Sequence, residues 1–236
     1  AERMGLLPEI TREGYVIQEL RVVNRSGKKV AGFPANVFTR MAGGRYISLP
    51  RGDLAASIFG KIEGQVETIF GNSVSSIEQT EHSVHVAFES GPAREFDLVI
   101  GADGLHSKVR ELVFGLQSQF EKYLGYQVAA FEVPGYQPRD ESVYVMYTQV
   151  GQQIARFAMS GDRTMFLLTF AADAGEAPEN GDVQAQKALL RKRFGSSGWE
   201  CPQILDALDA TNDLYFDRVS QIRMDHWTKG RVALVG

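Results

Sequence analysis

The sequence has few of the residues that build covalent or metal-based sites. Its 236 residues include a single cysteine, Cys201, and four histidines. One cysteine excludes an intrachain disulfide and is typical of a reducing compartment, so we expect a cytoplasmic protein. His82 and His85 are three residues apart in a predicted strand, so they point to opposite faces, and each is predicted to be solvent-facing. The sequence therefore predicts no metal site.

Long apolar runs and an excess of positive charge are also absent. No apolar run approaches the roughly 20 residues that a membrane-spanning helix needs. The net charge of −4 offers no basic surface for nucleic acid. A hydrophobic fraction of 44% and a charged fraction of 23% are ordinary for a globular protein. The sequence also lacks a Gly-x-Ser-x-Gly nucleophile motif, and we assign no catalytic side chain.

Residues 98–113 are predicted to form a strand, a tight turn and a helix. Residues 98–100 are a short apolar run, typical of a buried strand. Gly101 and Gly104 flank Asp103 where the chain turns, and glycine adopts backbone angles that other residues resist. The following helix, predicted to begin just after Asp103, has one apolar face made of Leu105, Val109, Leu112 and Val113. Free N–H groups at a helix start favour phosphate or another anion.

That pattern alone leaves a purely structural role open. Many buried strands end in a glycine-containing turn whose aspartate caps the next helix. Asp103 could therefore be a helix cap, a ligand contact, or both.

The residue string is more specific than its geometry. Residues 97–110 resemble the Asp-Gly fingerprint of the flavin-dependent aromatic hydroxylases, the single-component FAD monooxygenases related to p-hydroxybenzoate hydroxylase. Residues 51–54, Arg-Gly-Asp-Leu, resemble the Arg-x-Asp-Leu helix start of that family. Residues 227–236 resemble the strand that leads into its C-terminal flavin motif.

The resemblance implies a set of cofactor contacts. Arg51 would offer its fork of donors to flavin or pyrophosphate oxygens. Asp103, with Gly104 and Leu105 beside it, would bind a ribose or ribityl hydroxyl, and Gly104 would allow close backbone approach. Arg110 would contact the pyrophosphate of the reduced nicotinamide, or else form a salt bridge at the surface.

The resemblance also implies an activity. In this family NADPH or NADH reduces FAD, and one oxygen atom of dioxygen is transferred to an aromatic or other electron-rich small molecule. Two alternatives stay open. One is a related flavoprotein that reduces double bonds or halogenates, and the other is a non-catalytic binding module without flavin. The sequence leaves the substrate and the oligomeric state open.

We expect an α/β (α+β) fold in which a Rossmann-like, three-layer FAD-binding domain is joined to an antiparallel substrate-binding sheet. Four segments are predicted: a β-rich segment 1–50, an FAD-binding part 51–120, the substrate sheet 121–225, and a C-terminal FAD-binding strand that starts in 226–236. Within 51–120, Asp53 is predicted to cap a helix, residues 66–70 to form a strand, and residues 74–89 to form a hairpin.

The substrate sheet supplies further candidates. Gln153, Arg156 and Phe157 are predicted to bind substrate, and alternation along a strand places some of them on opposite faces. Aromatic candidates for the same pocket are Tyr144, Tyr147 and Phe170. Residues 160–163 are predicted to form a hairpin turn and residues 173–182 a loop. Asp182 is predicted to cap a helix whose basic residues form a solvated face, namely Lys187, Arg191, Lys192 and Arg193.

The resemblance further implies a strand–Gly-x-Gly-x-x-Gly–helix unit that the sequence does not contain. Residues 232–235 are apolar, and the family continues there into a flavin-binding Asp-Ala. We therefore expect the N-terminal and C-terminal parts of the FAD-binding domain to lie outside this sequence. We also expect the isolated 236-residue polypeptide to bind FAD weakly.

Overall fold

The computed structural model describes residues 1–44, 46–159, 161–176, 178 and 181–236. The chain forms two compact units. The first, here called the sheet unit, comprises Ala1–Gln65 and Gly125–Arg218, and the second, the turn unit, comprises Val66–Leu124 and Val219–Gly236. The four-segment domain division stays a prediction. The predicted turn at 160–163 and loop at 173–182 fall partly outside the described residues.

The described residues form six α-helices, in chain order α1 Leu7–Glu13, α2 Asn36–Met41, α3 Arg51–Ile62, α4 Lys108–Val113, α5 Val183–Phe194 and α6 Cys201–Ala210. They also form thirteen strands, in chain order β1 Glu19–Val23, β2 Lys29–Pro34, β3 Val74–Gln79, β4 Val84–Phe88, β5 Arg94–Phe96, β6 Val99–Gly101, β7 Glu121–Pro134, β8 Val143–Gln149, β9 Gln152–Ala158, β10 Arg163–Ala171, β11 Tyr215–Ile222, β12 Thr228–Lys229 and β13 Val232–Leu234. Short 3-10 turns span Glu2–Met4, Gly104–His106, Gln117–Gln119 and Ala174–Glu176.

The sheet unit is built on a seven-stranded sheet with strand order β11-β7-β10-β9-β8-β1-β2. Strands β7, β10, β9 and β8 pair antiparallel, which confirms the predicted antiparallel sheet. Strand β1 pairs antiparallel with β2 and parallel with β8. The predicted mixed α/β class is confirmed as well.

One face of this sheet packs against α5 and α6. The shared hydrophobic cluster includes Phe131, Phe166 and Phe170 of the sheet with Leu190 and Ile204 of the helices. Each such fully buried side chain contributes on the order of 1.5–3 kcal/mol relative to an exposed one. This layer fixes which sheet residues point away from the helices.

Local sequence explains where α5 and α6 begin. The carboxylate of Asp182 accepts a hydrogen bond from the N–H of Ala185 at 2.9 Å, so Asp182 caps α5 as predicted. Pro202 lies in the first turn of α6, where its missing N–H costs no helical hydrogen bond.

The predicted solvated basic face of α5 is wrong at Lys187. Its side chain is buried, and its Nζ donates to the carbonyl oxygens of Asp209 and Thr211. These carbonyls lie at the end of α6, where unpaired carbonyls and the helix dipole favour a cation. Lys187 therefore joins the two helices.

The turn unit contains two small sheets. The first has the order β3-β4-β5, and Val84 and Val86 on β4 are buried as the hairpin prediction requires. The second has the order β12-β13-β6, with β13 parallel to β6. Val109 of α4 packs against Val232 and Leu234 of β13.

Several local predictions in the turn unit and beside it are wrong. Residues 66–70 form no strand and are exposed, because none of the described strands pairs with them and Glu67 instead binds Arg94 at 2.8 Å. The predicted buried strand is wrong at Leu98, which is 54% exposed, and at Ile100, which is 57% exposed. Helix α3 begins at Arg51 with Pro50 at the capping position, so Asp53 lies in its first turn rather than at its cap.

Helices α1 and α2 were not predicted in the β-rich segment 1–50.

Within the described ranges, every helix is too short or too polar to cross a lipid bilayer.

Gln127 is expected to destabilise the sheet unit. It lies on β7 with 0% exposure, and neither its Oε1 nor its Nε2 has a hydrogen-bond partner among the residues that the structure describes. An unpaired buried amide costs on the order of 1–3 kcal/mol. Gln127→Met is therefore expected to raise the free energy of unfolding by about 1–2 kcal/mol in urea denaturation. Gln203→Met, on the exposed side of α6, should change it by less than about 0.5 kcal/mol. A destabilised Gln127→Met protein would show that buried water satisfies the amide.

The contacts of Glu19 with Arg21 and Lys29 are expected to make the stability of the sheet unit depend on pH. Hydrogen bonds from Arg21 and then Lys29 lower the pKa of Glu19 from 4.5 to about 2. Because the folded-state pKa is depressed, the stabilisation is full above pH 4.5 and is lost as the pH falls towards 2.

The measurement compares the free energy of unfolding at about pH 6 and about pH 3 in the protein and in Glu19→Gln. The unsubstituted protein should lose about 1 kcal/mol more than the variant, since the pair is partly exposed. Glu63→Gln, at an exposed position, should behave as the unsubstituted protein does. Equal losses in the protein and Glu19→Gln would contradict this assignment.

Candidate functional site

The Asp-Gly turn connects β6 to α4 in two steps. A 3-10 turn spans Gly104–His106, and α4 begins at Lys108. Ser107 is the N-cap, and its Oγ accepts a hydrogen bond from the N–H of Arg110 at 3.0 Å. The predicted helix start just after Asp103 is therefore wrong, because a serine four residues later takes the capping position.

The two glycines of the turn are needed for different reasons. Gly104 has φ +73°, and a Cβ there would meet no atom within 4 Å, so the turn backbone borders open space. Gly101 was predicted to serve the turn, but it needs no left-handed backbone. A Cβ on Gly101 would lie 2.7 Å from Leu234 and 2.8 Å from Val109, so its role is close packing of β6 against β13 and α4.

Asp103 holds this turn together through its carboxylate. Oδ1 accepts a hydrogen bond from the hydroxyl of Ser107, and Oδ2 accepts one from the N–H of Val109 at 3.1 Å. Burial alone would raise the pKa of Asp103, but these hydrogen bonds outweigh it and lower the pKa below its ordinary value. The group is thus an anionic acceptor whose oxygens keep lone pairs for a further donor.

Arg110 also stabilises the Asp103–Gly104 turn. The sequence placed it on the polar face of the helix, where a surface salt bridge was one alternative, but it is 2% exposed. Nη1 donates to the carbonyl of Gly104 at 3.1 Å, and Nη2 donates to that of Leu105 at 2.6 Å. Its Nε is buried and has no hydrogen-bond partner within the described ranges of the chain. The salt-bridge alternative is wrong because backbone carbonyls compete successfully for the guanidinium.

A cavity of about 360 Å³ opens beside this turn within the turn unit. Its lining joins the turn to residues from the C-terminal segment, namely Gly101, Asp103, Gly104, Leu105, Ser107, Arg110, Gln221, Ile222, Trp227, Leu234, Val235 and Gly236. Trp227 is the first residue of the predicted motif 227–236, but the sequence assigned it no role. Gln221 and Ile222 were not predicted as part of a site. These last two carry no local signal, since they come from the end of β11.

Comparison with known proteins identifies this arrangement. The sequence model of a family described as "FAD binding domain" matches residues 4–236. The chain belongs to this family of FAD-binding domains.

Two curated relatives match the whole of this chain. An uncharacterised protein of Mycobacterium tuberculosis is 38% identical, with 100% of this chain matching 63% of that protein. A flavin-dependent monooxygenase of Legionella longbeachae is 32% identical, with 100% of this chain matching 60% of that protein. The chain thus spans somewhat less than two thirds of the length of these relatives.

A solved structure gives the same result for the fold. The crystal structure of the tetracycline destructase Tet(51) has a TM-score of 0.82 at 31% identity. It is matched over 100% of this chain and 60% of its own. The predicted family resemblance is confirmed.

The residues of the turn fit part of an FAD molecule. The backbone at Gly104 borders open space, and Asp103 presents an ionised acceptor suited to a ribityl or ribose hydroxyl. The Nε of Arg110 has no hydrogen-bond partner among the described residues, so the turn has one more donor for a bound group. Arg51 is exposed at the first position of α3 in the sheet unit, and its contact with flavin stays a prediction.

The sheet separates the three predicted substrate contacts. Phe157 pairs across the strands with Tyr144 and Met165, whereas Arg156 pairs with Val145 and Phe166. Because alternate strand residues face opposite sides, Gln153 and Phe157 share one face and Arg156 lies on the other. The aromatic candidates divide in the same way: Tyr144 packs near Phe157, and Tyr147 and Phe170 belong to the helix-side cluster.

Arg156 forms ion pairs on the face of the sheet that packs against α5 and α6. Its guanidinium is buried, with Nε 2.7 Å from Glu200 and Nη2 2.7 Å from Asp140. These contacts join β9 to the residue before α6 and to the segment that precedes β8. They give Arg156 a structural role that its strand position alone did not reveal.

Proposed function

We propose that the protein is an FAD-dependent monooxygenase that uses reduced nicotinamide and dioxygen to hydroxylate an aromatic or other electron-rich small molecule. The observation that carries this proposal is the Asp103–Gly104 turn beside its 360 Å³ cavity, in a chain of the FAD-binding domain family. Two further supports are the curated name of the Legionella relative and the likeness to Tet(51). Bound FAD would supply the electron transfer and the oxygen activation.

Each residue of the turn has a separate proposed task. Asp103 would accept a hydrogen bond from a hydroxyl of the cofactor, and Gly104 would let the cofactor approach the backbone at Leu105. Arg110 would hold the Gly104 and Leu105 carbonyls in place, and its unpartnered Nε suggests polar contact with a bound group as well. Arg51 remains a proposed flavin contact, supported by its position at the start of α3.

The substrate is proposed to bind on the sheet face that carries Gln153 and Phe157. That face points away from α5 and α6, and the phenyl ring of Phe157 lies 4.8 Å from the ring of Tyr15. Phe157 is 6% exposed and packs with Ile17, Ala35 and Met159, so the partly exposed Gln153 is the member of the pair proposed to contact the substrate directly. Arg156 is not proposed as a substrate contact on this face.

A cytoplasmic location is proposed because a single cysteine is typical of a reducing compartment. The lone thiol of Cys201 is buried, and burial raises its pKa to about 12, so it is an unreactive core residue rather than a redox site.

The test measures flavin and oxygen together. The purified full-length protein should take up FAD and turn yellow, and it should consume oxygen and NADPH or NADH in step with hydroxylated product when offered phenols, quinone precursors and polyketide rings. Oxidation of a substrate by bound flavin without oxygen uptake would replace the proposal with a reductase-type reaction. A colourless protein that does not take up added FAD would leave a non-catalytic module.

A further inference from the structure

A second cavity, of about 520 Å³, lies within the sheet unit. The side chains that give it its chemistry come from distant parts of the chain, namely Arg21, Arg25, Asp140, Arg156, Trp199 and Glu200. Its volume is in the range of small-molecule sites. It shares no residue with the cavity at Asp103.

Charge in this cavity is unbalanced by one. Its lining contains three arginines but only two carboxylates, which belong to Asp140 and Glu200. Arg21 binds Glu19 and Asp140, each through a nitrogen–oxygen contact of 2.8–2.9 Å. Arg25 donates instead to the carbonyl of Ser196 at 3.2 Å and pairs with no carboxylate in the described part of the chain. Arg25, whose side chain is exposed, is therefore the guanidinium of this lining without a carboxylate partner among the described residues.

A buried donor also remains unused at this site. Arg156 directs Nε and Nη2 to Glu200 and Asp140, but its Nη1 is buried and has no partner among the described residues. Leaving a buried charged donor unpaired is costly, so such groups are normally satisfied by protein, water or ligand. An oxygen ligand at Nη1 would remove that cost.

The Arg156 guanidinium is held in place before any ligand arrives, because it lies over the Trp199 ring, 5.7 Å from its centroid. The backbone of Arg25 is fixed beside the cavity, since its carbonyl accepts a hydrogen bond from the N–H of Trp199 at 2.6 Å, while its side chain is exposed. One preorganised donor lowers the entropy cost of binding.

We propose that this cavity binds a small organic monocarboxylate, with Arg25 and Nη1 of Arg156 as its donors. A planar carboxylate matches the guanidinium fork. A single negative charge balances the one unpaired guanidinium. A phosphate dianion would be repelled by Asp140 and Glu200, which are already in the site.

Benzoate is the probe, and the two tryptophans of the sequence provide the readout. Trp199 lines this cavity and Trp227 lines the one at Asp103, so their indole N–H signals in a heteronuclear NMR spectrum report on the two sites separately. The Trp199→Phe and Trp227→Phe variants assign the signals. Benzoate is expected to shift the Trp199 signal saturably, whatever happens at Trp227.

Two controls make the test specific. Arg25→Gln should weaken the Trp199 response at least about tenfold, because a charge-assisted hydrogen bond contributes about 1.5–3 kcal/mol. Arg12→Gln removes an exposed arginine that pairs with its neighbour Glu13, and it should leave the response unchanged. Benzamide, which is neutral, should bind at least about tenfold more weakly than benzoate.

The proposal is overturned by any of three results. Benzoate could leave the Trp199 signal unmoved, benzamide could match benzoate, or Arg25→Gln could bind benzoate as the unsubstituted protein does. None of these outcomes depends on flavin binding, so they leave the monooxygenase proposal untouched.

Discussion

Replacing Asp103 with alanine is expected to weaken FAD binding by about 10- to 100-fold, the effect of losing one hydrogen bond to a charged group. The carboxylate holds the turn through Ser107 and Val109 and is proposed to accept a hydroxyl of the cofactor. Both roles are lost together in Asp103→Ala. Flavin fluorescence during titration with FAD measures the affinity directly.

Two comparisons separate cofactor binding from folding. Asp97→Ala removes an exposed carboxylate close by in the same unit and should leave FAD affinity unchanged. Asp103→Asn keeps the shape and one acceptor oxygen, so it should fold normally and fall between the two in affinity. If Asp103→Asn and Asp103→Ala both bind FAD as the unsubstituted protein does, Asp103 serves the turn alone.

Arg156→Met is expected to lower the free energy of unfolding by about 3–5 kcal/mol, the range seen when one partner of a buried ion pair is removed. The substitution leaves the carboxylate of Glu200 partly buried without its guanidinium, whereas Asp140 loses Arg156 but keeps its contact with Arg21. Urea denaturation measures the loss. Adding Glu200→Gln to this variant should restore part of the stability, because it removes the unpaired charge.

An exposed arginine provides the matched comparison. Arg191 binds Asp206 and Asp209 on the surface of α5 and α6. Arg191→Met should cost no more than about 1 kcal/mol, since solvent screens that contact. Similar losses for Arg156→Met and Arg191→Met would mean that the Arg156 contacts do not behave as a buried network.

The sequence predicts best where local pattern decides the structure. Alternation of Val84 and Val86 is enough for the β3–β4 hairpin, and the side chain of Asp182 is enough for the start of α5. The Asp103–Gly104 string points to the flavin family because its residue types are unusual as a set.

Predictions fail where a distant part of the chain supplies the partner. Lys187 is buried by carbonyls 22 and 24 residues away, which no helical periodicity can reveal. Arg156 finds Glu200 44 residues later in the chain. Residues 66–70 have strand-like composition, but no described strand pairs with them. Gln221 and Ile222, which line the cavity at Asp103, were not predicted for the same reason.

A crystal structure of the protein with FAD tests the central claim most directly. We expect a hydroxyl or phosphate group of FAD in the cavity beside β6 and α4, within hydrogen-bond distance of Asp103 or of the backbone from Gly104 to Leu105. FAD bound with no atom near that turn would contradict the account.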